Sequence, residues 1–144
     1  MNDKKIFLII GIAGSGKSTL AKYLAKKLNA NWLNADRVRR KFNDWDFSNE
    51  GILRQSKRMK KLSNFCNKKN VVIDLICPFE KGRKIIDADY TIWIDTIKKS
   101  RFKKIRLEKK FEKPKKYDVR VTSKNYLFWS RKILNKLQKK YEKK

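Results

Sequence analysis

The feature that most constrains the fold is the stretch Gly11–Thr19, GIAGSGKST, which matches the pattern G-x-x-x-x-G-K-[ST] at every fixed position. The preceding residues 5–10 form a short apolar, β-branched run that predicts a buried strand. After the stretch, Leu20, Leu24 and Leu28 recur at helical spacing. A strand that leads through a glycine-rich turn into a helix directs backbone N–H groups and the positive helix end at one point. The sequence therefore predicts a phosphate-binding loop for a nucleoside triphosphate.

Each part of this loop has an expected role. Its glycines allow positive φ angles and a close approach of phosphate to the backbone. Lys17 is expected to reach the β- and γ-phosphates, and the Ser18 hydroxyl is expected to hold Mg²⁺. The residues expected to bind the nucleotide are Gly11, Ala13, Gly14, Ser15, Gly16, Lys17, Ser18 and Thr19.

Length and composition narrow the alternatives. A chain of 144 residues, 40% of them hydrophobic, predicts one domain with a single core. No apolar run approaches the roughly 18 residues that a membrane span needs, and the apolar N-terminal segment is too short for a signal peptide. We therefore expect no membrane contact and a cytoplasmic location, where Cys66 and Cys77 stay thiols. The chain has no histidine, which excludes histidine-based catalysis and the usual zinc sites.

The formal net charge of +26 has two interpretations. Clustered Lys and Arg residues would release counterions from the phosphates of a nucleic-acid partner. Alternatively, a lysine-biased composition places Lys on every solvated helix face. Lys residues greatly outnumber Arg and are scattered from Lys4 to Lys144, which favours the second interpretation and leaves a nucleic-acid partner possible. In either case the charge attracts polyanionic nucleotides.

Strand and helix patterns alternate along the rest of the chain. Short β-type runs predict strands at 30–34, 71–76, 89–95 and 117–121. The residues expected to cap helices at their N-termini are Asp36, Ser48 and Ser123. The resulting order, β-α-β-α-α-β-α-β-α-β-α, is typical of one α/β domain over residues 1–144. It predicts a mostly parallel five-stranded sheet with helices on both faces, in three α/β/α layers.

A strongly basic segment at about 96–116 is interrupted by Pro114. We expect it to act as a lid that closes over the phosphates, with Arg101 among its nucleotide contacts. A solvated basic helix would show the same composition.

Polar residues that follow the strands are expected to meet in one cleft, at the carboxyl ends of a parallel sheet. Asp36 and Asp74 are each expected to help Ser18 coordinate the metal. Asp36 would alternatively take the proton from an acceptor hydroxyl, or only cap its helix. Arg39 lies one helical turn beyond Asp36, where it would grip an acceptor phosphate or sulfate. Lys17, Asp36 and Arg39 are therefore the candidate catalytic residues of a phosphoryl-transfer site.

These residues together resemble the adenylyl-sulfate kinase (APS kinase) family, whose members phosphorylate the 3′-hydroxyl of adenosine 5′-phosphosulfate. Beyond the phosphate-binding loop, the family has a D-x-x-R element followed by an F-S pair, and an I-S-P element after a later strand. A Y-E-K-P element precedes its last strand. The corresponding residues here are Asp36 and Arg39, Phe47-Ser48, Ile76-Cys77-Pro78, and FEKP at 111–114.

The resemblance implies that ATP and Mg²⁺ are the cofactors and that Asp36 and Arg39 contact the acceptor. It also implies that Phe47 stacks on the adenine of the acceptor and that Ile76 lines the pocket. The chain departs from the family at three positions. Ile52 and Gln55 replace an arginine and an asparagine, and Cys77 replaces the serine of I-S-P. Arg54, two residues after Ile52, is the expected substitute for the lost arginine. The family's long lid is shortened to 96–113.

The predicted function is an ATP-dependent transfer of the γ-phosphoryl group to the 3′-hydroxyl of adenosine 5′-phosphosulfate or a related small nucleotide. One alternative is a polynucleotide or RNA 5′-hydroxyl kinase, since such enzymes share an N-x-D-x-x-R element that Asn34, Asp36 and Arg39 satisfy. A third alternative is an ATP-dependent nucleic-acid-binding module. The protein is expected to be a monomer or a homodimer.

Overall fold

A five-stranded parallel sheet forms the centre of the protein, and its strands lie side by side in the order Asn31–Asn34, Asn70–Leu75, Lys5–Ile10, Tyr90–Ile94 and Val119–Val121. The structure is a computed structural model, and it describes residues 4–98 and 110–142. The strands are β1 Lys5–Ile10, β2 Asn31–Asn34, β3 Asn70–Leu75, β4 Tyr90–Ile94 and β5 Val119–Val121. The helices are α1 Lys17–Lys27, α2 Ala35–Phe42, α3 Asn49–Asn64, α4 Glu80–Ile86 and α5 Tyr126–Glu142.

The central strand β1 explains why its sequence is almost continuously apolar. It pairs in parallel with β3 on one side and with β4 on the other, so its backbone groups are bonded on both edges. Helices cover both faces, and every residue of β1 after Lys5 is buried. A strand buried on both faces shows a hydrophobic run instead of alternation. The predicted three-layer α/β/α arrangement with a parallel five-stranded sheet is confirmed.

Alternate residues of β1 enter two separate cores. Phe7 and Ile9 pack in the core that contains residues of α1 and α5. Ile6, Leu8 and Ile10 pack in the core that contains residues of α2, α3 and α4. This division follows from the two-residue period of a strand. It leaves the carboxyl ends of the strands, where the glycine-rich loop begins, between the two helical layers.

Two of the three predicted caps are wrong. Helix α2 is capped by Asn34, whose Oδ1 accepts from the backbone N–H of Arg37 at 3.1 Å, because β2 passes directly into the helix. Asp36 lies instead in the first turn, where a carboxylate is favoured by the helix dipole. At α5, Asn125 accepts from the N–H of Phe128, while the Ser123 hydroxyl accepts from the Trp129 indole N–H.

The cap predicted for α3 is confirmed, since the Ser48 hydroxyl accepts from the N–H of Gly51 at 3.2 Å. The helix predicted between the fourth and fifth strands, and most of the basic segment 96–116, lie outside the described residues. Within the described part of the chain, no helix has the length and hydrophobicity that a membrane span requires.

Candidate active site

The glycine-rich loop connects β1 to α1 at the carboxyl edge of the sheet. Gly14 and Gly16 have φ angles of 85° and 106°, in the left-handed region that favours glycine. A Cβ atom on Gly11 would lie 2.7 Å from the carbonyl oxygen of Ile94, at the end of β4. A Cβ atom on Gly16 would lie 1.8 Å from the hydroxyl oxygen of Tyr126. The glycines thus allow the loop to pack closely against neighbouring elements.

Two distant residues hold this loop in place. The hydroxyls of Thr96 and Tyr126 both donate to the carbonyl oxygen of Ser15, at 2.7 and 2.8 Å. The Ser15 side chain is buried, and its own hydroxyl has no hydrogen-bond partner within the described residues. Sequence reasoning missed Thr96 and Tyr126 as site residues, because no motif marks either one.

Lys17 begins α1, and its side chain is almost completely buried. Its ammonium donates to the carbonyl oxygen of Ile12 at 3.1 Å. Burial lowers the pKa of Lys17 to about 8, and the opposing attraction of Asp74 and Asp36 is weaker than this desolvation. A polyphosphate in the loop would supply the negative charge that the lysine lacks.

Asp74 is held beside the loop by the neighbouring strand. In the parallel pair of β2 and β3, Asn34 lies opposite Asp74. The indole N–H of Trp32 donates to Asp74 Oδ2 at 2.5 Å, and the Asn34 amide is 3.2 Å from both carboxylate oxygens. Burial raises the pKa of Asp74, although the hydrogen bonds from Trp32 and Asn34 and the charge of Lys17 oppose this effect. The carboxylate therefore has a defined position and orientation.

The residues around Asp74 fit a magnesium ion that is shared with a nucleotide. Asn34 Nδ2 also donates to the Ser18 hydroxyl at 3.2 Å, which connects Ser18 to Asp74. The described residues contain no group of three or more His, Cys, Asp or Glu side chains placed to bind a metal ion. Mg²⁺ prefers oxygen ligands and is usually held by one or two carboxylates together with substrate phosphates. Ser18 and Asp74 supply suitable oxygens, and Asp36 is exposed at the same cleft.

A cleft of about 680 Å³ extends from the loop toward α2 and α3. The predicted site residues that line it are Ala13, Gly14, Gly16, Lys17, Ser18, Thr19, Asp36, Arg39, Phe47, Asp74 and Ile76. Gly11 and Ser15 belong to the loop without lining the cleft. Arg54 does not line it, and Arg101 lies outside the described residues. Asn34, Gln55, Cys77, Lys124 and Tyr126 line the cleft without having been predicted as site residues.

Arg39 forms the charged part of the wall opposite the loop. Its guanidinium stacks on the Phe47 ring at 4.3 Å and donates to the carbonyl oxygens of Asp44 and Asp46, at 2.9 and 3.3 Å. Phe47 is half-buried and lines the cleft beside Arg39. The side chains of Arg39 and Phe47 thus support each other, and the segment 44–47 supports both.

Two further arginines stabilise this segment from outside the cleft. Arg54 donates to the carboxylates of Asp44 and Asp46, and Arg58 donates to Asp44 at 2.8 Å. These hydrogen bonds hold the pKa of Asp44 well below its usual range. The guanidinium of Arg54 is therefore directed at the acidic loop, away from the place where the family resemblance put a substrate contact.

The positions at which the chain departs from the family are buried. Ile52 is 5% exposed and Gln55 is 3% exposed. The Gln55 amide donates to the carbonyl oxygen of Ala35, and its Oε1 accepts from Arg58 at 2.7 Å. Cys77 has a φ angle of 45°, and burial raises the pKa of its thiol to about 11, so the thiol stays protonated at neutral pH. Ile52, Gln55 and Cys77 all line the cleft, and these uncharged side chains stand where the family has an arginine, an asparagine and a serine.

Two motifs that are far apart in the sequence meet at the end of this wall. The N–H of Glu112 donates to the carbonyl oxygen of Pro78 at 2.8 Å. Arg83 donates to the carbonyl oxygens of Cys77 and Glu112, and its guanidinium lies 5.0 Å from the Phe111 ring. The FEKP segment at 111–114 therefore packs beside Ile76-Cys77-Pro78.

Comparison with known proteins agrees with this architecture. Residues 6–76 match the protein family described as AAA domain. The APS kinase CysC of Mycobacterium tuberculosis, in complex with AMPPNP and APS, has 21% identity and a TM-score of 0.79, covering 94% of this chain and 98% of that one. Shikimate kinase from Acinetobacter baumannii, in complex with shikimate, has 16% identity and a TM-score of 0.68, covering 97% and 96%. A gluconokinase from Sinorhizobium meliloti has 13% identity and a TM-score of 0.67, covering 99% and 96%. No curated protein sequence matches the chain.

The chain thus has the fold of the P-loop kinases, built around a phosphate-binding loop. The resemblance to APS kinase that the motifs indicated is confirmed for the fold, over almost the whole length of both chains. At these identities the similarity establishes the fold and leaves the acceptor to be inferred from the cleft.

Proposed function

We propose that the protein is an ATP- and Mg²⁺-dependent kinase that phosphorylates the 3′-hydroxyl of adenosine 5′-phosphosulfate or a related small nucleotide. One observation carries this proposal: residues predicted to bind the phosphates and residues predicted to bind the acceptor line the same cleft. Lys17, Ser18 and Asp74 lie at one end, and Arg39, Phe47 and Ile76 line the other part. The similar structure from Mycobacterium tuberculosis holds AMPPNP and APS, which supports a nucleotide donor and a nucleotide acceptor here.

Each residue has a defined part in this proposal. The loop backbone and Lys17 bind the phosphates and stabilise the charge that develops during transfer. Ser18 and Asp74 would hold Mg²⁺, which neutralises phosphate charge when it is bound. Asp36, exposed at the cleft, accepts the proton of the acceptor hydroxyl. Arg39 binds the anionic group of the acceptor, and the Phe47 ring stacks on its base.

An acceptor screen with labelled ATP and Mg²⁺ tests the proposal. It compares adenosine 5′-phosphosulfate, other nucleotides, shikimate, gluconate and 5′-hydroxyl oligonucleotides. The expected result is transfer to adenosine 5′-phosphosulfate or another small nucleotide, and loss of transfer in Lys17→Ala. Transfer to none of the nucleotides, with transfer to another acceptor, would overturn the acceptor assignment. Activity that survives Lys17→Ala would overturn the assignment of the phosphate site.

A second candidate is a 5′-hydroxyl kinase that acts on polynucleotides. It is favoured by the side chains of the N-x-D-x-x-R element, since Asn34, Asp36 and Arg39 all line the cleft. The third candidate, an ATP-dependent nucleic-acid-binding module, predicts ATP binding with no transfer to any acceptor. Phosphate transfer to oligonucleotides and not to mononucleotides would select the 5′-hydroxyl kinase.

A further inference from the structure

The outer surface of α1, and that of α5 as far as Lys140, carries positive charge without any acidic residue, and Glu142 is the last residue of α5. The two helices pack against each other over one side of the sheet. We call their exposed residues the α1–α5 face. Its basic residues are Lys22, Lys26, Lys27, Arg131, Lys132, Lys136, Lys139 and Lys140. No Asp or Glu occurs from Lys4 to Asn34 or from Val119 to Tyr141. In the sequence, α1 and the part of α5 up to Tyr141 therefore contain only basic and neutral residues.

A lysine-rich composition alone does not explain this distribution. On the other side of the sheet, α3 and α4 are also basic, but Glu50 and Glu80 begin them and acidic loops lie beside them. Ion pairs join Asp44, Asp46, Glu80 and Asp95 to basic residues that lie outside the α1–α5 face: Arg39, Arg54, Arg58, Arg83, Lys98 and Arg120. Acidic residues are thus mixed with lysines around α3 and α4, and they are absent from α1 and from α5 before Glu142.

The basic residues of this face form regular stripes. Lys132, Lys136 and Lys139 follow one another at spacings of four and three residues, and Lys22 and Lys26 are four apart. Such residues are neighbours on a helix surface, where like charges repel each other. From Lys132 to Lys139 the stripe on α5 is about 10 Å long at the helical rise per residue. A polyanion with regularly spaced phosphates would remove this repulsion along the whole stripe.

Exposed aromatic and apolar side chains lie at the start of the face. Phe128 is 52% exposed and Leu127 is 49% exposed, and Tyr23 on α1 is 43% exposed. Leu127 and Phe128 line a shallow depression together with Arg131 and Lys132. Proteins that bind single-stranded nucleic acid combine a basic track for the backbone with aromatic rings on which bases stack.

The arrangement fits a nucleic acid better than an anionic membrane. A membrane-surface helix needs a continuous apolar face to bury among lipids. The apolar face of α5 is already used, because Ile133 and Leu137 are buried in the core. Among the described side chains of α5, the exposed large apolar residues are Leu127 and Phe128, and both lie in its first turn.

We propose that the α1–α5 face binds the backbone of single-stranded nucleic acid, with Phe128 stacking on a base. The surface lies mainly outside the cleft and does not depend on the proposed kinase activity. The face meets the cleft at the N-terminal end of α5, where Lys124 and Tyr126 line the cleft wall. The basic residues of the α1–α5 face thus extend the positively charged surface beyond the cleft.

Binding of the full chain to a labelled single-stranded RNA of mixed sequence tests the proposal. Fluorescence anisotropy is measured over a series of KCl concentrations, without nucleotide. The test variant combines Lys26→Glu, Lys136→Glu and Lys139→Glu. The matched control combines Lys57→Glu, Lys61→Glu and Lys84→Glu, which changes the net charge equally at exposed positions on α3 and α4. Thermal melting confirms that both variants fold, and Lys→Gln versions replace any that do not.

The wild-type protein is expected to bind, and the test variant to bind about tenfold or more weakly, with a salt slope shallower by about 2 because three phosphate contacts are lost. The control variant should lose at most about twofold, since its charges are distant and screened. Phe128→Ala should weaken binding at every salt concentration without changing the slope. Equal losses in the two triple variants, or no RNA binding by the wild type, would overturn the proposal. Binding only to vesicles of equal parts phosphatidylcholine and phosphatidylserine would also overturn it, in favour of a membrane surface.

Discussion

The part of the cleft around Lys17, proposed to bind the nucleotide (the nucleotide half), and the part around Arg39, proposed to bind the acceptor (the acceptor half), use their charged residues differently. In the nucleotide half, Lys17 has a backbone carbonyl as its partner, and burial lowers its pKa to about 8. In the acceptor half, Arg39 stacks on Phe47 and donates to the acidic loop that Arg54 and Arg58 bind from outside. In the first half, no carboxylate of the described residues lies within ion-pair distance of Lys17, whereas in the second half the arginines pair with Asp44 and Asp46. The first arrangement favours a polyanionic ligand, and the second favours a ligand with one anionic group for Arg39 and one ring for Phe47.

The largest expected effect comes from Lys17→Met, which should impair ATP binding and phosphoryl transfer without changing the acceptor half. Phosphoryl transfer should fall about 10³-fold, because a buried cation at the transferred group is lost. The variant should melt no lower than the wild type, since burial already disfavours the charged lysine. ATP-induced stabilisation in thermal melting checks binding without knowledge of the acceptor. If ATP raises the melting temperature of this variant as much as that of the wild type, Lys17 does not bind the phosphates.

A second test uses the contact between the loop and α5. In Gly16→Ala the new Cβ atom would clash with the Tyr126 hydroxyl, at a φ angle of 106°. Displacement of the loop by about 1 Å should cost roughly 10²-fold in activity. Tyr126→Phe is the matched control, which keeps the ring and removes only the hydrogen bond to Ser15, and it should cost less than about tenfold. Similar activities of the two variants would show that loop position is not critical.

The nucleotide half was also the more predictable from sequence, because its signals are contiguous. The strand, the glycine-rich loop and the first helix follow one another, and the strand bounds Lys5–Ile10 agree with the expected residues 5–10. The Ser48 cap of α3 lies outside the nucleotide half, but it was also predictable because the serine and the helix that it caps are adjacent in the sequence. By contrast, the contacts of Thr96 and Tyr126 with Ser15 join residues far apart in the chain, and no local pattern encodes them.

The acceptor half shows a second limit of sequence reasoning. Arg54 was expected at the substrate because it stands near a family position in the sequence. Its acidic partners, Asp44 and Asp46, are close in the sequence too, yet their pairing depends on how the loop folds onto α3. Its role at the acceptor stays a prediction. Asn34 was named only as part of an acceptor motif, whereas its amide joins Ser18 to Asp74 across adjacent strands.

Arg39→Met tests whether the acceptor half binds the acceptor independently of ATP. The KM for the acceptor should rise roughly 10- to 100-fold, because a charge-assisted hydrogen bond is worth about 1.5–3 kcal/mol. Affinity for ATP should stay the same, because Arg39 lies away from the phosphate-binding loop. Arg54→Met is the matched control, and its effect should be smaller since Arg54 does not line the cleft. An equal rise in KM for both variants would mean that the loop 44–47, and not Arg39 itself, determines acceptor binding.

The pH dependence of ATP binding tests the charge state of Lys17 in the nucleotide half. Above pH 8 most Lys17 side chains are neutral in the free protein, while a bound triphosphate favours the charged form. Binding should therefore take up a proton, and affinity at pH 9 should be about tenfold lower than at pH 7. Calorimetry in two buffers with different ionisation enthalpies measures this uptake. Lys17→Arg is the control, since its side chain stays charged. An affinity that does not change between these pH values would contradict the lowered pKa.

The smallest expected effect concerns Trp32, whose indole N–H donates to Asp74. Trp32→Phe keeps an aromatic ring and removes this hydrogen bond, so the carboxylate should lose its fixed orientation. The Mg²⁺ concentration for half-maximal activity should rise about 3- to 10-fold, because a hydrogen bond to a charged group is lost. The KM for the acceptor should change little, since Trp32 does not line the cleft. A change in the acceptor KM without a change in the Mg²⁺ requirement would show that Asp74 acts on the acceptor, and the division of the cleft into two halves would then be wrong.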